Sequence, residues 1–203
     1  MKWKIILSVL LAGILWIPAF AQVPGNAEDI SPLLYGEKIP EIPVTAVDGS
    51  RHTITSVIDD KPSILLFYRG GWCPYCNTHL AEIQEIEEEI IELGYQIIAI
   101  SPDSPENLNK SAGTHKLSYE LYSDGDGSLS KAMGIVFKAP ERNANRLLES
   151  SGGLNEGFLP VPSVFVVDTS GKIVFEYINP DYKTRIRAEL LIAVLKVLKN
   201  DGE

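Results

Sequence analysis

Apolar and polar positions alternate along this chain in three distinct rhythms, and their order outlines a fold. Residues 42–47 and 51–55 are short strand-like stretches either side of Asp48-Gly49-Ser50, the pattern of a β-hairpin. Ser63-Ile64-Leu65-Leu66-Phe67-Tyr68 is a continuous apolar run of strand length, suited to a central strand covered on both faces. From residue 74 to 93, Leu80, Ile83, Ile86, Ile90 and Leu93 recur at helical spacing, with glutamates opposite and Gly94 as the stop. This spacing predicts one amphipathic helix. Residues 95–100 predict the next strand, and Ser104-Pro105-Glu106 a capped helix start. Strand, helix, strand, helix implies parallel pairing.

The second half is less regular. Glu120-Leu121-Tyr122 reads as a short strand, and Asp124-Gly125-Asp126-Gly127-Ser128 as a solvated turn into a helix carrying Leu129, Ala132 and Met133. A calcium loop is a poor fit there, because the remaining ligand positions and the closing glutamate are missing. Residues 138–159 are polar and read as an insertion with one helix over 142–148. Residues 164–168 and 172–177 form a hairpin about Thr169-Ser170-Gly171, and Ile186, Leu190, Val194 and Val197 mark a closing helix. The expected class is α/β: a mixed sheet flanked by helices, with an N-terminal hairpin and a polar insertion before the last hairpin.

The first residues read as an address. Lys2 and Lys4, an apolar stretch over 5–17 and Ala19-Phe20-Ala21 make a secretory signal over residues 1–21. The apolar stretch is shorter than the roughly 18 to 20 residues that span a bilayer, so no membrane association is expected once the signal is removed. Residues 22–38 read as a flexible leader and 39–203 as one domain, exported to a periplasm or secreted. Losing Lys2 and Lys4 takes the formal charge from −9 to −11, which argues against nucleic acid as a partner.

Only two cysteines are present, in Cys73-Pro74-Tyr75-Cys76. A disulfide across so short a loop adds little stability, and four-thiolate zinc lacks ligands, so the pair points to chemistry. At the first turn of a helix, unpaired N–H groups and the dipole favour a thiolate on Cys73. Cys76, about one turn on, is placed to resolve a mixed disulfide, and Pro74 sits where its missing N–H costs nothing. Arg69 is either a thiolate-stabilising charge or a surface arginine; Trp72 either shields a disulfide or fills the core. No cofactor is implied beyond the Cys73-Cys76 disulfide, and no resident metal. A copper carrier using both sulfurs and His79 is a competing reading, with His52 and His115 distant in sequence. A non-catalytic binding module is another.

Residues 67–77, Ile100-Ser101-Pro102-Asp103-Ser104-Pro105, and residues 161–168 through Pro180-Asp181-Tyr182 closely resemble the peroxiredoxin-like branch of the AhpC/TSA antioxidant family. The resemblance implies a thioredoxin fold. It also implies a thiol or hydroperoxide substrate and an external thioredoxin-type electron donor. Cys76 falls at the peroxidatic cysteine, Cys73 where the family has threonine, and Pro162 where it has an arginine, with Arg69 the candidate to replace that guanidinium. Two expectations follow: dithiol/disulfide exchange led by Cys73, or a thiol peroxidase with Cys76 attacking and Cys73 resolving. In a thioredoxin-like fold the Pro162 loop faces the disulfide, which predicts a cis Val161-Pro162 bond beside the sulfurs.

Overall fold

A computed structural model describes residues 23–59 and 61–201; the signal expected over 1–21 lies outside them. The hairpin is β1, Pro43–Ala46, and β2, Arg51–Thr53, followed by a short helix α1, Ile54–Ile58, whose start is capped when Thr53 Oγ1 accepts from Ser56 N at 3.3 Å. Next come β3, Ser63–Phe67, α2, Pro74–Glu85, α3, Glu87–Glu92, and β4, Gln96–Ser101. The single helix expected over 74–93 is broken at Ile86, whose backbone (φ −109°, ψ 6°) leaves the helical range. Gln84 beside the break donates to Glu87 and accepts from Ser118 N at 2.8 Å, which ties α2 and α3 to the loop ahead of the next strand.

The chain continues through α4, Pro105–His115, β5, Glu120–Ser123, α5, Ser128–Ala132, β6, Val136–Lys138, α6, Ala144–Ser150, β7, Phe158–Pro160, β8, Ser163–Val167, β9, Ile173–Ile178, and α7, Ala188–Asp201. The main sheet has the order β2-β1-β5-β4-β3-β8-β9, mixed as expected. β3 pairs parallel with β4 and β4 with β5, while β8 runs antiparallel to β3 with Phe67 opposite Ser163. That antiparallel register brings the start of β8 beside the end of β3, where the cysteine loop begins.

Two cores form on the two faces of the sheet. Ile64, Leu66 and Tyr68 pack with Cys73, Cys76, Leu80 and α7, while Leu65 and Phe67 pack on the other face with Ile54, Leu129 and Phe165. Alternate side chains of a strand point to opposite faces, so a strand covered on both needs an unbroken apolar run.

Three expectations are corrected. Residues 23–38, read as a flexible leader, are docked: Leu33 N donates to Met133 O at 3.1 Å and Gly36 N to Ile173 O at 2.8 Å, and Lys138 N donates to Pro24 O at 2.8 Å. Gly134, at φ +69°, lets the leader in, since a Cβ there would collide with the Ser31 carbonyl. Asp124 is not in a solvated turn but 2 % exposed, accepting from Leu129 N at 2.9 Å, Ser130 N at 2.8 Å and Ser130 Oγ at 2.6 Å. It satisfies the first turn of α5 from inside the protein. The insertion read over 138–159 holds α6 as expected, but its two ends run into β6 and β7, which pair as a two-stranded ribbon.

A further correction bears on the site. No cis peptide occurs among the described residues, so Val161-Pro162 is trans. Val161 N donates to Ile135 O at 2.8 Å and Ser163 Oγ to Val161 O at 2.8 Å, so the chain runs extended from β7 into β8 and trans is the geometry that continues it.

Candidate active site

The sulfurs lie where β3 ends and α2 begins. Between them Tyr68-Arg69-Gly70-Gly71-Trp72 turns sharply, with Gly70 at φ +133°, where a Cβ would meet Trp72 and Asp103. Gly71 closes on α4, since a Cβ there would strike Ser111. Two hydrogen bonds hold the turn: Gly71 N donates to Asp103 Oδ2 at 2.6 Å, and Asn77 Nδ2 to Gly71 O at 2.9 Å. Burial pushes the Asp103 carboxyl up to about 6.

Cys73 is the N-cap of α2 and Pro74 opens its first turn, as the sequence implied. Both thiols are free and buried, 2 % exposed for Cys73 and 1 % for Cys76. Cys73 is pulled down to about 6, first by the hydrogen bond from the Cys76 thiol, then by the Cys76 N–H and the charges of Arg69 and Arg185. Cys76 is held well above its ordinary value, chiefly by burial and by the partner sulfur. The pair therefore titrates as a unit, releasing one proton readily and keeping the other, which rests on Cys76.

Arg185 is the residue that sequence reading missed. Its Nη2 lies 3.4 Å from Cys76 Sγ, while Nε and Nη1 are buried without a partner. Buried guanidinium donors are rarely left empty, so these two mark a place for an acceptor beside the sulfur. In the sequence nothing separates Arg185 from Lys183 and Arg187, since all three precede α7 in irregular chain. Arg69, by contrast, was named and is found 9 % exposed, with its guanidinium 4.1 Å from the Tyr182 ring centroid and 5.2 Å from that of Trp72. It is thus a buried charge held between aromatic faces. Trp72 is half-buried against the sulfur-bearing core and also faces Arg146 of α6 at 5.3 Å.

His79 is 5 % exposed and held down to about 4, first by burial and then by Arg185, so it is neutral. It does not complete a copper site: no three His, Cys, Asp or Glu side chains gather where a metal could sit among the described residues. His52 is bound to Ser50 Oγ at 2.8 Å on the distant hairpin. Pro162 lies with Arg69 and Tyr182 on one groove, and the bond before it is trans where a cis bond was expected.

The family model for the AhpC/TSA family matches residues 35–176. The chain belongs to the AhpC/TSA family. It is similar to peroxiredoxin Bcp of Escherichia coli, 23 % identical over 167 residues that cover 82 % of this chain and 98 % of the relative. Two solved structures share its fold. Peroxidoxin BcpB of Mycobacterium tuberculosis matches at a TM-score of 0.63 and 20 % identity, covering 81 % of this chain and 97 % of that one. Reduced Prx3 of Vibrio vulnificus, solved in complex with H2O2, matches at a TM-score of 0.70 and 16 % identity, covering 81 % and 96 %. The thioredoxin-like α/β architecture expected of this AhpC/TSA chain is thereby shown, and so is the resemblance first seen around Cys73-Pro74-Tyr75-Cys76. Among its described residues no helix is long and apolar enough to cross a membrane.

Proposed function

We propose that this protein is a thiol peroxidase in which Cys76 attacks the hydroperoxide and Cys73 resolves. The observation that carries the reading is the placement of Arg185, whose Nη2 touches Cys76 Sγ while its other donors stay unpartnered. A proton moving along the S–H···S bond from Cys76 to Cys73 leaves the thiolate on Cys76. That sulfur attacks the distal peroxide oxygen: an S–O bond forms, the O–O bond breaks, and the leaving oxygen, stabilised by guanidinium donors, takes a proton to leave as alcohol or water. Cys76 is then a sulfenic acid. Cys73 attacks it, an S–S bond forms, and water departs.

The return half-reaction is dithiol exchange. Cys73, at the helix edge, is the sulfur an external thioredoxin-type dithiol would attack, and two electrons from that donor restore both thiols. Dithiol exchange led by Cys73 thus serves as the reductive half of a peroxidase cycle. With residues 1–21 acting as a signal, the cycle operates in an exported, periplasmic or secreted protein, and its donor must be available there.

The coupled titration of the pair sets the pH dependence. Only the singly deprotonated pair reacts, and the Cys73 value lowered to about 6 marks where that form appears. The rate of oxidation by H2O2 should therefore rise as pH increases through about 6 and then level off across neutral pH. Stopped-flow rates between acid and mildly alkaline pH check this. A midpoint near the ordinary thiol value of about 8.5 would contradict the coupled-pair account.

A further inference from the structure

A groove of about 420 Å³ shares Arg69 with the cysteine loop, and its walls come from five separate parts of the chain: the docked leader, the cysteine loop, residues 137–142, the turn at Pro162 and the turn at Pro180. Its polar wall carries Arg69, Lys138 and Arg142, opposed by the single carboxylate of Glu28, in a protein whose formal charge is −9. None of the three cations has an ion-pair partner; among the described residues the ion pair present is Lys196–Glu89, elsewhere. Its apolar wall is Pro162, Pro180 and Tyr182.

Arg69 links the groove to the chemistry. It lowers Cys73 through its charge, lines the groove, and keeps a buried Nε without a partner. Its guanidinium packs on the rings of Tyr182 and Trp72, 4.1 and 5.2 Å from their centroids, which favours its place in the groove. A groove lined by cations and by apolar rings suits an amphipathic organic anion, and a planar carboxylate matches the forked donors of a guanidinium.

We propose that this groove binds the carboxylate of a small organic redox partner of the sulfur pair, a role that H2O2 would not use. The inference rests on the thiol-redox reading of Cys73 and Cys76 and specifies what that site recognises. Two sources share the chemistry: a hydroperoxide that carries an acid group, or a low-molecular-weight thiol that carries one.

The binding arm does not depend on turnover. In a chain that begins at Gln22, Trp72 is the only tryptophan, and its ring lies 5.2 Å from the Arg69 guanidinium of the groove, so its fluorescence senses what Arg69 binds. Octanoate should quench it saturably, and more tightly than octanamide. The double variant Lys138→Ala/Arg142→Ala should bind octanoate about tenfold more weakly and octanamide equally. Both residues are exposed, so the variant should fold. Equal binding of octanoate by the wild type and the variant, or equal binding of acid and amide by the wild type, overturns the proposal.

The kinetic arm separates the sources. If the oxidant carries the acid, an acid-bearing alkyl hydroperoxide outperforms its methyl ester in kcat/KM, and the double variant removes that advantage while leaving H2O2 turnover unchanged. If the reductant carries it, 3-mercaptopropionate reduces the Cys73-Cys76 disulfide faster than 2-mercaptoethanol at matched thiolate concentration, and the variant levels the two. Octanoate binding with neither preference would refute the redox-partner role. A wild type inert toward every hydroperoxide would instead reject the peroxidase reading and leave the octanoate and thiol arms to decide this one.

Discussion

Cys76→Ser is expected to slow hydroperoxide consumption by about 10³-fold or more, because a serine hydroxyl cannot ionise or attack the O–O bond at neutral pH. Cys73→Ser should behave differently. Its Cys76 still reacts once, close to Arg185, and becomes a sulfenic acid with no neighbouring thiol to resolve it. Dimedone labelling followed by mass spectrometry should then find the adduct on Cys76 in Cys73→Ser and none in Cys76→Ser. Turnover with a dithiol donor should fall sharply in both. The asymmetry separates the peroxide half from the reductive half, since Cys73 is the sulfur whose value is lowered to about 6 and Cys76 the one held by the arginine. An adduct on Cys73 in Cys76→Ser would swap the two roles.

Arg185→Met carries the second large effect. Methionine keeps much of the side-chain length but removes the charge and every donor, including the 3.4 Å contact to Cys76 Sγ. Losing one well-aimed donor to a developing oxyanion typically costs about 10²- to 10³-fold, and kcat/KM for H2O2 should fall by that order. The rate should also reach its plateau at higher pH, because Arg185 is one of the charges that lowers Cys73. Arg185→Lys restores a point charge without the forked donors, so it should recover the pH profile more fully than the rate. A wild-type peroxide rate in Arg185→Met would remove this residue from the chemistry and leave Arg69 as the only guanidinium at the site.

Much of this arrangement is written locally in the chain. The apolar run that ends at Tyr68, the cysteines at a helix start, and the helical spacing of Leu80 and Ile83 each specify a structure within a few residues, and each is found where expected. What escaped depends on partners that only the folded chain supplies. Asp124 looks like a turn residue until α5 is folded onto it, and the leader looks mobile until Met133 and Ile173 offer carbonyls to it. The strands β6 and β7, three residues each, are too short to show a period of two and exist only as each other's partners. Ile86 continues the helical pattern of its neighbours, yet the bonds from Gln84 to Ser118 favour a break that no local propensity signals.

Arg185 is the most instructive miss, because Cys76 is 109 residues away in sequence. Proximity of that kind arises from the sheet order and the path from β9 into α7. The resemblance to the AhpC/TSA pattern directed attention to Pro162 as the position of a missing guanidinium, whereas the structure brings one in from a different segment. Pro162 itself serves the extended entry into β8 and one side of the cationic groove.

The central claim is that the buried pair, which titrates as a unit and has two flanking guanidiniums, is built to reduce hydroperoxides. Mixing the fully reduced protein with H2O2 in a stopped-flow instrument and following Trp72 fluorescence at neutral pH tests it most directly. The account predicts a second-order rate constant at least about 10³-fold above that of a free thiolate, reflecting preorganised donors at the transition state, with one equivalent of peroxide yielding one Cys73-Cys76 disulfide. A rate no faster than that of an unassisted thiolate would contradict it.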